Sequence, residues 1–459
     1  MKTLADPQHA LADGLDAIRA EFQVPDGFPP AVLAAAAEAA KRQPTDHVDR
    51  TNRAFVTLDP ATSTDLDQAF AIEAAGADLL LHYAIADVAW FVDDDGVIDR
   101  EAWTRGETLY LPDRKAGLYP PILAEGAASL LPDGPRPAIV FTVRIDPSGA
   151  VALDGVERAL IRSRAKLAYA TAIDADLPAG FADLATRIQR DERRRGASRV
   201  DPPEQEVERV DGALALRFRP RLVAEDRNAA LSLATNMAVG QALLAHHTGL
   251  FRVMAAPDDA AKLRLRNTAK AFALAWPDAQ PLADFTRTLD AAQPRAAAFM
   301  LAVRRAGHGA SYAPWHDGET PWHAAVAATY AQATAPLRRL ADRYVIRAAV
   351  AVANGQPVPA VVTAAFDRLP KVIARADATA GRIDRAVIDL AEAIMLRSRV
   401  GDSFAAVVTD TDDRGARIQL SDYPIIARVD TTAMPGDALI VRLAAIDMQR
   451  RTIEFKRVH

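Results

Sequence analysis

Three aspartates fall within nine residues of a segment reading Phe55-Val-Thr-Leu-Asp59-Pro-Ala-Thr-Ser-Thr-Asp65-Leu-Asp67-Gln68-Ala-Phe70. A strand-like run ends at Asp59, and the following Pro, Ser and Thr residues call for a turn. Asp65 and Asp67 are two apart, so in extended backbone both project from one face. Such a group of carboxylates repels itself unless cations neutralise it, and hard oxygen donors suit Mg²⁺, with Mn²⁺ as the alternative. A calcium loop starting at Asp59 does not fit. Proline takes its second position, no glycine makes the required turn, and Phe70 stands where a bidentate glutamate belongs. On spacing alone a solvated turn with incidental acids is an equal alternative, because aspartate favours turns anyway.

The elements around this loop form three stretches. Asp6-Pro7 is a helix start, and Leu11, Leu15, Ile18 and Phe22 recur at helical spacing. A second, alanine-rich helix runs to about Arg42, so residues 1–50 read as a small helical segment. Its central turns offer few side chains that could read base edges, which favours a packing role over a helix-turn-helix DNA reader. From Ala54 the texture is strand: residues 79–86 are strongly apolar, residues 138–145 and 151–161 flank the turn Pro147-Ser148-Gly149, and Asp211-Gly212 marks a second hairpin. Helical patterns then run from Asp226 to about Arg399, interrupted near residues 311–321. Sheet first and helices after predicts an α+β domain over 51–399. Five short strand-like runs follow (404–408, 416–420, 425–429, 438–444 and 451–456), which suits a small OB barrel over 400–459 or a generic β-barrel.

The chain has 459 residues, a formal net charge of −5 and no cysteine. The absence of cysteine excludes disulfides and thiolate metal sites and fits a reducing compartment. The negative charge argues against a protein that coats duplex DNA, so any nucleic-acid contact must be confined to a local groove. No apolar run is long enough for a membrane span, and Asp6, His9 and Asp13 occupy the place of a signal peptide's apolar stretch. The expectation is a cytoplasmic protein without membrane association. His308, His316 and His323 are spaced by eight and seven residues, which matches no tight zinc motif.

Several segments resemble, in order, the ribonuclease II (RNB) family. The aspartate segment resembles the family's opening signature. Ile85-Ala86-Asp87-Val88 resembles its "IADV" stretch. Leu109-Tyr110-Leu-Pro-Asp-Arg114 with Pro120-Pro121 and Ser129-Leu130 resembles "YLPDR…P…LCSL". Arg193–Gly196 resembles an "RRG" helix end, and Thr334-Ala335-Pro336-Leu337-Arg338-Arg339 resembles "TSPIRR". The resemblance covers roughly residues 51–459 and lacks the tandem cold-shock domains that open many relatives.

What the resemblance implies is a catalytic domain in which a mixed sheet and helices surround an RNA channel, followed by an OB-fold RNA-binding barrel. The implied activity is processive 3′-5′ hydrolysis of single-stranded RNA to nucleoside 5′-monophosphates by a two-metal-ion mechanism, in a monomer. Asp59, Asp65 and Asp67 would ligate Mg²⁺, Asp67 lying closest to the attacking water, with Gln68 and Asp87 as further ligands or supports. Pro336 would open a helix and place Arg338 and Arg339 in its first turn. There a cation opposes the helix dipole unless an anion is near, so Arg338 reads as the phosphate partner, against an i, i+4 pair with Asp342. Arg339 and Arg347 are candidates for backbone contacts, Tyr110 and Tyr169 for stacking on the 3′-terminal nucleotides, and Asp384 for a ribose hydroxyl. Three positions depart from the family pattern: Gln68 replaces a fourth aspartate, Ala335 a serine, and Ala229 and Ala230 a pair of glutamates. A catalytically weakened RNA-binding protein is the alternative function.

Overall fold

A computed structural model of the chain describes residues 10–197, 204–210, 213–219, 222–290, 293–307, 309–412, 415–421, 423 and 425–458. The predicted helix start at Asp6-Pro7, the turn at Asp211-Gly212 and His308 lie outside the described residues.

Two helices open the chain, α1 (Ala10–Glu21) and α2 (Pro30–Ala39), the latter with proline at its first turn. They do not pack as a unit of their own. Leu11, Leu15 and Ile18 of α1 are buried against Ile383, Val387 and Leu390 of the long helix near the C-terminal end. Gly14 permits this approach, since a Cβ there would sit 2.5 Å from Leu390. Val32, Ala36 and Ala39 of α2 instead join the main core.

The sheet begins with β1 (Val48–Asp49), β2 (Phe55–Asp59), β3 (Gln68–Ala75) and β4 (Asp78–Ala86). After β4 come the short helix α3 (Val88–Phe91), α4 (Val97–Arg105), a small ladder of β5 (Leu109–Tyr110) with β6 (Lys115–Ala116), and three long strands, β7 (Arg136–Ile145), β8 (Val151–Ile161) and β9 (Ser163–Ala168). The strand order is β1-β8-β7-β4-β3-β2-β9, mixed as expected. β3, β4, β7 and β8 form an antiparallel meander, whereas β2 pairs in parallel with β9. The apolar runs of β4 and β7 are buried on both faces, which is why they read as near-continuous hydrophobic stretches. The β7–β8 turn is the predicted one, with Gly149 at φ 88°.

Helices cover this sheet. α5 (Phe181–Arg195) ends at Gly196 in the left-handed region, as its sequence predicts. Strands β10 (Glu204–Val210) and β11 (Ala213–Arg219) pair antiparallel before α6 (Val223–Ala245). The helical pattern expected after Asp226 is interrupted near residues 311–321 as its sequence indicates, and it is also broken earlier, at residues 250–253. β12 (Leu250–Val253) leads to a side layer of α7 (Asp259–Ala271), α8 (Leu282–Arg287) and α9 (Pro294–Ala306), whose own core contains Leu265, Phe272, Phe285 and Phe299. β13 (Ser311–Pro314) returns to pair with β12, and residues 315–339 then run without a helix. Two helices complete the domain, α10 (Leu340–Ala353) and the long α11 (Ala360–Leu396).

The last five strands, β14 (Ser403–Asp412), β15 (Gly415–Leu420), β16 (Ile426–Val429), β17 (Ala438–Asp447) and β18 (Thr452–Arg457), close a barrel in the order β14-β15-β16-β18-β17. Its centre holds Phe404, Val408, Ile418, Val441, Leu443 and Phe455. Among the described residues, no helix is long and apolar enough to cross a membrane.

Candidate active site

The topology brings the ends of three strands together. β2 stops at Asp59, β9 stops beside it in parallel register, and β3 starts at Gln68. The connecting loop 60–67 is held from outside. Ser129 Oγ accepts from the Leu66 N–H at 2.9 Å and donates to the Thr64 carbonyl at 2.7 Å, and the Leu130 N–H donates to the Leu66 carbonyl. The Ser129-Leu130 motif therefore serves as a brace for the aspartates.

The opposite wall is the turn 334–339. Fully buried Asp342 accepts from the backbone N–H of Thr334 (3.0 Å) and Ala335 (2.8 Å), and Arg339 donates to both its carboxylate oxygens. This corrects the predicted helix start: α10 begins at Leu340, Arg339 precedes it with extended φ/ψ, and Arg338 sits in the turn. Once Asp342 serves the turn's amides, the chain needs the tight turn and not a further helical one. Arg339, not Arg338, is thus the partner of Asp342. Backbone pairing of Glu107 with Arg339 and of Thr108 with Arg338 anchors the turn to the strand that carries Tyr110.

Between the walls lies a cavity of about 680 Å³ lined by Asp59, Asp65, Asp67, Tyr110, Tyr169 and Arg338, among others. Asp67 joins the two sides. Its Oδ1 accepts from the Leu337 N–H at 2.7 Å, and its Oδ2 lies 3.4 Å from Arg338 Nε. The Arg338 side chain remains about half exposed to the cavity. Burial pushes the Asp67 carboxyl up to about 7, against the opposing pull of Arg338 and the Leu337 amide. Burial likewise lifts Asp59 to about 6, opposed by Arg338 and reinforced by Asp65. Asp59 Oδ2 is buried without a hydrogen-bond partner, a costly state for a carboxylate oxygen. Asp65 is paired with Lys115 at 2.8 Å, and the Tyr110 hydroxyl approaches it at 3.5 Å. Tyr169 accepts from Asn228 Nδ2 at 2.9 Å, and its backbone N–H donates to the Asp59 carbonyl.

Other predicted residues have different placements. Gln68 lines the cavity, but its amide is used up by the protein. Nε2 donates to the Thr334 carbonyl at 2.7 Å, and Oε1 accepts from the Tyr83 hydroxyl and from Ser232 Oγ. It therefore clamps β3 to the neighbouring elements. Asp87 faces away, toward buried His47 (3.1 Å) and Arg158 (3.6 Å). Arg347 makes a two-pronged pair with Asp94, and Asp384 lies exposed on α11; neither lines the cavity. Of the histidines, His323 reaches the cavity, while His316 lines a separate groove.

Lys115, Asn228, Arg252 and Gln332 are among the site residues that sequence reasoning missed. Lys115 follows directly on the Tyr110 motif and could have been found there. The others reach the site only through the packing of α6 and of the β12–β13 ladder.

The chain matches the RNB domain over residues 47–354 and the RNase II-type exonuclease C-terminal S1 domain over residues 402–458. It is 24% identical over an alignment of 513 residues to a ribonuclease R of Aquifex aeolicus, spanning 100% of this chain and 72% of the relative. An Arabidopsis thaliana protein named inactive exonuclease DIS3L2 is 37% identical over 120 residues, 26% of this chain and 11% of that one. Among solved structures, Mycoplasma genitalium RNase R in complex with ribose-methylated single-stranded RNA superimposes with a TM-score of 0.86 at 19% identity, covering 100% of this chain and 79% of that one.

Proposed function

Because this chain belongs to the RNB-domain family, we propose that it is a divalent-metal-dependent exoribonuclease, hydrolysing single-stranded RNA from its 3′ end to nucleoside 5′-monophosphates. One relative carries the name of an inactive enzyme, so the family alone does not decide catalysis. The observation that carries the reading is the meeting of Asp67 and Arg338 across one cavity, beside Asp59 and Asp65.

The donor set fits a loosely held cation. Among the described residues, no three acidic or histidine side chains form a closed ligand cage. Mg²⁺ does not require one, since it keeps waters and uses one or two carboxylates together with substrate phosphate oxygens. The partnerless oxygen of Asp59 and the remaining lone pairs of Asp65 and Asp67 are the available ligands. When bound, the ion would supply positive charge at the phosphate and lower the pKa of water. With Gln68 tied to the protein, the second ion of a two-ion mechanism would depend on RNA phosphate for its oxygens.

The side chains have distinct tasks. Arg338 offers charged N–H donors to the scissile phosphate. Tyr110, half exposed, and Tyr169 present rings on which a base or ribose can stack without sequence preference. Water attacks phosphorus, the P–O3′ bond breaks, and the departing 3′ oxygen takes up a proton. The shortened chain thus keeps a 3′ hydroxyl and the freed nucleotide a 5′ phosphate.

The test is incubation of 5′-labelled single-stranded RNA with the protein, with Mg²⁺ or with EDTA. Metal-dependent shortening from the 3′ end with mononucleotide release is expected. RNA retained but uncut would instead favour the weakened RNA-binding protein, the reading that the protein-bound amide of Gln68 supports.

A further inference from the structure

The cavity holds a second cation that hydrolysis at Arg338 does not use. Arg252 lies on β12, directly cross-strand from Tyr312, with its guanidinium over the Tyr312 ring at 4.6 Å. Its two terminal nitrogens share one oxygen of Asp377, both at 3.5 Å, a long contact for a charge-assisted bond. The other acid beside it, Glu107, is raised to about 7 by burial and by Asp377, so near neutral pH it carries only part of a full negative charge. The Tyr312 hydroxyl donates to the side-chain Oε1 of Gln332, which orients the side-chain Nε2 of that cavity-lining residue as a donor. His323, next along this wall, is held toward its neutral form by burial. Of the residues lining the cavity, Arg252 and Arg338 are the ones that carry a positive charge, so the Arg252 wall offers the second place for strand charge.

We propose that Arg252, with Gln332 beside it, binds a second RNA phosphate, the one on the 5′ side of the phosphate held at Arg338. The assignment follows from the order of groups along a strand. A nucleotide released from a 3′ end carries no phosphate beyond the scissile one, so a second phosphate in the same cavity belongs to the retained chain. This rests on the exoribonuclease reading above and adds to it a minimum grip: the site recognises two successive phosphates.

The dinucleotides ApA and pApA isolate this contact, because they share the scissile phosphate and differ only in the 5′ phosphate. Their affinities are measured in EDTA by competition against a labelled oligoadenylate. Wild-type protein is expected to bind pApA roughly ten-fold more tightly than ApA, the scale of one charge-assisted contact. Arg252→Met should reduce the ratio of pApA to ApA affinity to about one, and Arg252→Lys should keep most of the advantage. Equal binding of ApA and pApA by wild-type protein, or an undiminished pApA advantage in folded Arg252→Met, overturns the inference. Failure of wild-type protein to bind or cut any RNA overturns the exoribonuclease reading instead, so the two failures are distinct.

Discussion

Arg338 Nε lies 3.4 Å from Asp67 Oδ2, and the neighbouring Leu337 N–H donates to the same carboxylate at 2.7 Å. One acid thus positions the turn that carries the arginine as well as facing the substrate cavity. Substitutions at Asp67 should separate these roles. Asp67→Asn keeps an oxygen for Leu337 and should fold with stability within roughly 1 kcal/mol of wild type, while RNA cleavage falls at least 10²-fold. Asp67→Ala leaves the buried Leu337 N–H unpaired and should cost a further ~1–3 kcal/mol. Denaturant unfolding and a gel assay check both. Equal stability of the two variants would show that the Leu337 bond contributes nothing.

Arg338 is half exposed, and its side chain bonds to no backbone carbonyl among the described residues, so removing it should spare the fold. Arg338→Ala is expected to lower kcat by about 10²–10³-fold with little change in melting temperature. Arg338→Lys should recover a minor part, because an ammonium cannot reproduce a two-pronged grip on phosphate. A fall in melting temperature as large as that of Asp67→Ala would make Arg338 a structural residue.

The buried acids set a pH dependence with a definite sign. Folding raises Asp59 to about 6 and Asp67 to about 7 from the ordinary aspartate value of 3.8. The folded state therefore keeps protons that the unfolded chain has already lost. The stability these two groups contribute is fully present below about pH 4 and is lost as pH rises through 6 to 7. A divalent cation needs the ionised carboxylates and works in the opposite direction. Mg²⁺ should thus raise the melting temperature more at about pH 8 than at about pH 5.5. EDTA should abolish the difference, and Asp59→Asn should reduce it. A metal shift of equal size at both pH values would place the cation elsewhere.

The strands and the barrel were legible in the sequence because their apolar runs and turn residues are local signals. The Pro147-Ser148-Gly149 turn and the Gly196 helix end fall where predicted. The aspartate loop was legible for the same reason. Arg339 and Arg347 were not, because each is paired with an acid, Asp342 or Asp94, whose approach depends on tertiary packing. Nor was the start of α10, where proline at 336 favours a helix but the amides held by Asp342 impose a turn. The layer α7–α9 carries helical periodicity indistinguishable from that of the main domain. Its separate core appears only when Phe272, Phe285 and Phe299 are seen to face one another.

Gln68 tests whether a residue whose amide is held by the protein can govern catalysis. Its amide connects β3 to Tyr83 on β4, to Ser232 on α6 and to the carbonyl of Thr334 in the arginine turn. Gln68→Ala should destabilise the fold by ~1–3 kcal/mol through unpaired buried groups. It should also lower kcat while KM stays within about two-fold, because the Arg338 turn loses an anchor. Gln68→Glu brings a carboxylate oxygen against the Thr334 carbonyl and should cleave RNA more slowly than wild type. Faster cleavage by Gln68→Glu would mean that this position acts as a metal ligand after all.

One of the barrel's contacts with the catalytic domain passes through a glycine. Gly436 lies before β17 at φ 97°, and a Cβ there would stand 1.8 Å from the carbonyl oxygen of Ala271 at the end of α7. Val407 of β14 also packs against the α7–α9 core. Gly436→Ala therefore meets both an unfavourable backbone conformation, worth about 1–2 kcal/mol, and a clash that only separation of the two layers relieves. The active-site cavity lies outside this contact. Single-turnover cleavage at saturating RNA should hence survive in Gly436→Ala, while affinity for a long single strand and its salt dependence both fall, as they would for a barrel that no longer shares the strand with the cavity. Unchanged affinity together with an unchanged melting temperature would show that the barrel's seat on α7 has no part in holding RNA.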